Sequence, residues 1–270
     1  MKRIASLLLS LLLLVCLTVL PAAASDNEGT TVDGLVYVIE GDQVTINGYT
    51  GSASEIALPD EVDGYPVTAI GDYAFSNCEH LITVQLPDSL TYRGSRAFLG
   101  CKSLTELSVP EKVTSIGVFA FNKCESLERI TLPEQLTSLG YGAFAGCTSL
   151  KELALPQELS AIEDYTFSGC TALEQIRLPR ALARIGQYAF DSCFALQKVT
   201  CVENSLDSFE ILEGNDALLE AQFILRTPSQ TVFADAFLEP SSNEPKNLPL
   251  CIVIFVVLFI DGCLALAHRS

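Results

Sequence analysis

Six cysteines recur at one interval: Cys78, Cys101, Cys124, Cys147, Cys170 and Cys193, each 23 residues after the last. Thiols in such a series can bridge, hold a metal or fill space. Zinc ligands come as close pairs such as C-x-x-C, so this interval argues against metal. If successive members sit in stacked coils about 4.8 Å apart, they fall inside the Cα window of about 4.4–6.8 Å that a disulfide needs. Yet equivalent Cβ atoms of parallel strands point the same way, and a bridge wants about 3.8 Å between them. A column of buried thiols acting as small hydrophobes is therefore expected. Disulfides are the alternative, and an exported chain ordinarily favours them. Cys201, Cys251 and Cys263 stand outside the series and it assigns them no role.

Catalytic constellations are hard to find. The only histidines are His80 and His268, and no G-x-S-x-G, H-E-x-x-H or P-loop occurs. Acidic residues number 33, but no spacing picks out an acid/base pair of the kind hydrolysis needs. The expectation is a chain that is not an enzyme, with no cofactor and no metal.

What positions the cysteines is a repeat. Phe75, Phe98, Phe121, Phe144, Phe167 and Phe190 stand three residues before them, and Leu81, Leu104, Leu127, Leu150, Leu173 and Leu196 three residues after. Pro87, Pro110, Pro133, Pro156 and Pro179 keep the same beat. The unit reads A-F-x-x-C-x-x-L-x-x-[ILV]-x-[LV]-P-x-x-[LV]-x-x-[IL]-G, with Thr166 replacing its first alanine. A fixed period of this length means a stacked array, in which no unit buries its own apolar side and neighbours bury each other's. Within one unit, Leu107 and Val109 alternate with polar residues and predict a short strand, which Pro110 ends. Val113 to Gly117 predicts a second extended piece, and Ala120 to Cys124 a helical turn. Two copies depart from the pattern. Arg93 takes a slot otherwise held by Ile116, Leu139, Ile162 and Ile185, and Glu163 replaces a glycine. Burying an unpaired arginine is costly, so Arg93 is expected to reach outward or to find a carboxylate.

The ends of the chain carry other signals. Lys2 and Arg3, an apolar run and Pro21-Ala22-Ala23-Ala24 read as a secretory signal over residues 1–24, with an uncleaved anchor as the alternative. Without it, 14 basic residues face 33 acidic ones, a charge of −19. Such a charge keeps the chain soluble and repels nucleic acid and anionic lipid surfaces. In region 25–52, two alternating runs bracket Glu40-Gly41-Asp42 and predict a β-hairpin, expected to cap the open strand edge of the first coil. The solenoid is expected over 53–205. Residues 206–238 read as decayed repeats or a C-terminal cap, with Ala236-Phe237 echoing the repeating pair. Residues 239–247 have a linker's composition. Residues 248–267 hold 13 Leu, Ile, Val or Phe in 20 positions, long enough to span a bilayer. Their gain of about 4–8 kcal/mol outweighs about 2.5–3.5 for Asp261, so a membrane anchor is expected. Export to the cell surface follows, with secretion as the alternative.

The repeat also builds a surface. Outward strand positions recur once per coil in two columns: Glu55, Thr83, Glu106, Arg129, Glu152, Gln175 and Lys198, and then Ala57, Gln85, Ser108, Thr131, Ala154, Arg177 and Thr200. Solenoids bind partners on such extended surfaces. Neither column holds an aromatic anchor, so a merely solvated face stays open beside a binding face. Acidic residues gather at one end, and Arg177 and Lys198 at the other, which favours a polar protein or glycan over an apolar ligand.

These units, such as Ala120 to Gly140, with Tyr49-Thr50-Gly51 and Gly64-Tyr65-Pro66-Val67 before them, resemble the BspA-like leucine-rich repeats of bacterial and some protist surface proteins. The resemblance covers about residues 37–204. It implies a right-handed solenoid with a parallel sheet, membership in a group linked to adhesion and host contact, and no enzyme activity. Two functions are carried forward: an adhesin-like module binding an extracellular protein or glycan, and a passive structural spacer.

Overall fold

Each repeat folds into one coil carrying two short strands, and the coils stack so that like strands pair. The computed structural model describes residues 27–202, 210–211, 213–226 and 231–234. The expected signal segment, the linker, the hydrophobic stretch 248–267 and Phe237 lie outside the described residues.

The chain enters through β1 (Glu28–Thr30), β2 (Leu35–Glu40) and β3 (Gln43–Tyr49). The pair β2 and β3 forms the antiparallel hairpin expected around Gly41. Next come β4 (Glu55–Ala57), β5 (Glu61–Val62) and β6 (Tyr65–Ile70), the last two paired across the Asp63-Gly64 turn. The regular coils then alternate two kinds of strand. The first kind is β7 (Thr83–Gln85), β9 (Glu106–Ser108), β11 (Arg129–Thr131), β13 (Glu152–Ala154), β15 (Gln175–Arg177) and β17 (Lys198–Val202). The second is β8 (Tyr92–Arg93), β10 (Ser115–Ile116), β12 (Ser138–Leu139), β14 (Ala161–Ile162), β16 (Arg184–Ile185) and β18 (Glu210–Ile211). A short helix, α1 (Asp216–Glu220), precedes β19 (Gln222–Arg226) and β20 (Thr231–Ala234).

Pairing between coils is parallel and in phase with the repeat, Leu107 facing Ile130 and Leu153 facing Ile176. The first strands form two ladders, β4-β7-β9-β11 and β13-β15-β17-β19, and β20 turns back antiparallel on β19. The hairpin joins the other side of the coil: β3 pairs with β6, which pairs with β8. It therefore leaves β4 as the end strand of its ladder. Arg93 occupies its strand position in β8, and its side chain lies outside what is described.

The segment from alanine to cysteine makes tight turns rather than helix. Each cysteine N–H donates to the phenylalanine carbonyl three residues back, as from Cys124 to Phe121 at 3.1 Å. Left-handed residues on both sides stop the turn from propagating, Phe119 at φ 53° and Lys123 at φ 60° in that coil. The turns of successive coils also bond to each other. Phe121 N–H meets Ala143 O at 2.8 Å, and Phe144 N–H meets Thr166 O at 2.9 Å. Thr166 keeps its buried hydroxyl satisfied by donating to Glu163 O at 2.7 Å. Inside, the six repeating phenylalanines form one stack with centroids 5.0–5.7 Å apart, and all are fully buried. Tyr49 lies over the first of them at 5.9 Å. Glycine is required where coils approach closest: a Cβ on Gly117 would stand 2.6 Å from Gly94 O. Glu163, which takes that slot one coil further on than Gly140, bonds its carboxylate to Arg184.

Candidate binding surface

The cysteine column is a column of thiols with a hydrogen-bonding role. Cys101, Cys124, Cys147, Cys170 and Cys193 each direct Sγ at the phenylalanine carbonyl of the preceding coil, at 3.0–3.2 Å. The side chain is small enough for the core and supplies a weak donor to a carbonyl that the turn leaves half-used. Burial pushes the Cys147 and Cys170 thiols well above their ordinary range, and raises Cys193 and Cys201 to about 12. A buried thiol that resists ionisation is a poor nucleophile and a poor metal ligand. The column therefore helps to hold the coils together.

The two outward columns do come together. Because β7, β9 and β11, and then β13, β15 and β17, place residue on residue, the columns run straight across the strands. Glu55, Thr83, Gln85, Glu106, Ser108, Arg129 and Thr131 line a groove of about 840 Å³ with Ala57 and Asp88. Arg129, Thr131, Glu152, Gln175, Arg177, Lys198 and Thr200 line its continuation of about 390 Å³. Arg129 and Thr131 belong to both, so the two hollows adjoin. Among the described residues, none that lines the groove is aromatic.

Charges inside the groove are partly spent on each other. Arg129 pairs with Glu106 at 3.2 Å, both well exposed, and Gln175 donates to the Glu152 carboxylate. Arg177 and Lys198 make no ion pair among the described residues. Thr200 differs from expectation. It holds its place opposite Arg177 but is only 9% exposed.

Two other features were not found from the sequence. One is a ridge at the position two before each repeating phenylalanine: Tyr73, Arg96, Phe119, Tyr165 and Tyr188, with Tyr141 filling in beside Gly142. Arg96 sits between Tyr73 and Phe119 at 5.4 and 5.2 Å, and the later rings follow at 5.0–5.4 Å. The recurrence of bulky residues at that position was the available signal. The other is Asn215, 1% exposed. Its Oδ1 accepts from Phe190 N–H at 2.9 Å and its Nδ2 donates to Gly186 O at 2.9 Å.

Repeat period, thiol column and parallel ladders now meet an independent comparison. The model of the BspA-type leucine-rich repeat region matches residues 49–170 and 95–210, with six copies. The chain belongs to that family. Among solved structures, it resembles a leucine-rich repeat protein of T. pallidum, with 26% identity and a TM-score of 0.54 over 62% of this chain and 90% of that one. It also resembles a leucine-rich cell surface protein of Faecalibacterium prausnitzii, with 29% identity and a TM-score of 0.56 over 69% of this chain and 57% of that one. No curated protein matches the chain in sequence. Like other BspA-type chains, this one is a stack of leucine-rich coils. Among the described residues no helix is long and apolar enough to cross a membrane.

Proposed function

We propose that this BspA-type protein is an exported, non-catalytic recognition module that binds an extracellular protein or glycan along its sheet groove. The observation that carries this reading is that all twelve candidate polar positions line two adjoining hollows across the strands. The F. prausnitzii likeness, a protein described as a cell surface protein, supports the location. In this reading residues 1–24 direct export and the hairpin within 25–52 covers the β6 side of the first coil of the solenoid 53–205. Residues 206–238 close the other end, and 248–267 hold the chain at the membrane beyond a linker at 239–247. Secretion without an anchor is the alternative.

Recognition centres on Arg177 and Lys198, because cations without a carboxylate partner among the described residues stand out in a chain of net charge −17 and draw an anionic group. The test displays the full chain on cells and measures attachment to arrays of extracellular proteins and glycans. Reversing Arg177→Glu and Lys198→Glu together should weaken attachment at least about tenfold and reduce its salt sensitivity. The melting temperature should hold, since neither side chain is buried. Attachment that survives this reversal, and changes at Glu106 and Glu152 as well, would move the site off the groove and favour a passive spacer.

A further inference from the structure

The N-terminal end of the groove ladder is unfinished. Because the hairpin pairs with β6, nothing among the described residues pairs with the outer side of β4. Hydrogen-bond parity shows what that side offers. Thr83 N–H reaches Ser54 O, and Leu58 N–H reaches Gln85 O, so residues 54, 56 and 58 turn their backbone groups toward β7. In a parallel ladder alternate residues face opposite neighbours. The N–H and C=O of Glu55 and Ala57 therefore face away, four groups in all.

The side chains tell the same story. In the inner column Val84, Leu107, Ile130, Leu153, Ile176 and Val199 are buried, but Ile56 at the end is only half-buried. Residues 52–55 and Ala57 are exposed, and Ile82 on the next coil is 39% exposed. The charge here is one-sided. Residues 27–110 contain twelve acidic residues against three basic ones, and Glu55, Asp88 and Glu106 line the adjoining groove.

The geometry points to a second interaction surface, distinct from Arg177 and Lys198: the β4 edge takes up an extended, basic segment of a partner protein as an added strand. One face of that strand continues the apolar column past Ile56, so it carries Val, Ile or Leu. The other face continues the groove column past Glu55 and Ala57, so it carries Lys or Arg. Main-chain bonds supply attachment and the alternate side chains supply selectivity. Four backbone groups make a short edge, which is why both side-chain faces must contribute.

The probe is a fluorescein-labelled nine-residue peptide alternating Lys and Val, titrated against the full chain by anisotropy. It should bind saturably. An alternating Lys/Pro peptide of equal charge, lacking N–H groups at its prolines, should bind at least tenfold more weakly, and a Glu/Val peptide not at all. Ala57→Pro removes an edge N–H that nothing among the described residues uses, and should weaken Lys/Val binding at least tenfold while the melting temperature holds. Should that variant not fold, Glu55→Lys, at an exposed position of β4 itself, should weaken binding likewise by repelling the lysines of the added strand. Equal binding of the Lys/Val and Lys/Pro peptides would overturn the proposal by reducing it to charge. So would binding that survives Ala57→Pro in a folded protein, or binding lost on reversing Arg177 and Lys198. Self-association abolished by Ala57→Pro, with no peptide binding, would put a second copy on the edge and overturn the stated partner.

Discussion

Asn215 offers the sharpest test of how the stack ends. In the regular coils a phenylalanine N–H is satisfied by backbone of the next coil, as Phe167 is by Ala189 O at 2.8 Å. At Phe190 that role falls to the Asn215 side chain, which also bonds Gly186 O. Asn215→Leu keeps the branched shape and removes these bonds, leaving the buried Phe190 donor and the Gly186 acceptor unsatisfied. Each costs about 1–3 kcal/mol, so the last regular coil should lose about 2–6 kcal/mol. Solenoid coils are coupled mainly to their neighbours, so the loss should be local. The assay is hydrogen exchange resolved at single amides. At the lower bound of about 2 kcal/mol, Phe190 N–H should exchange about 30-fold faster, while Phe121 N–H is unchanged. Asn215→Asp keeps the acceptor for Phe190 but sets a carboxylate against the Gly186 carbonyl. Burial raises that carboxyl's folded pKa, so its stability should be greatest below the unfolded value near about 3.9 and should fall as pH rises. Unaltered protection at Phe190 in Asn215→Leu would refute the reasoning.

The thiol column predicts an alkaline weakness. Cys193 and Cys201 are raised from 9.0 to about 12 by burial, so the unfolded chain releases these protons first. Their contribution is complete below pH 9 and should be lost between 9 and 12 in equilibrium unfolding. Replacing both by alanine should flatten that slope, and an unchanged slope would assign the weakness elsewhere. In the native state at neutral pH, iodoacetamide should modify few of the six ladder cysteines. After denaturation without reductant it should modify all of them, and mass spectrometry showing bridges between successive members would contradict the column. Deleting residues 120–142, one whole unit, should leave a shorter folded stack, because the parallel register is preserved. Deleting half that unit should unfold neighbouring coils as judged by circular dichroism.

The sequence by itself determined the coil. Phenylalanine, cysteine, leucine and proline at one interval admit only a stack, because each apolar side needs its neighbour, and the strand register follows from the interval. It also determined which side chains share a groove, since period-2 alternation divides each strand between core and surface. What it could not decide was how the stack ends. Beyond Cys201 the register offset shifts, to 26 residues between Ile185 and Ile211 and 24 between Val199 and Phe223, so the pairing continues after the phrase has dissolved. Asn215 is equally invisible in one dimension, because a side chain standing in for a missing coil has no repeat to mark it. The hairpin was legible from Gly41 and its flanking alternation, but its choice of β6 over β4 was not. Two strand edges of the first coil compete for one hairpin, and only the path of the chain through Tyr49 to Ser54 decides which is covered.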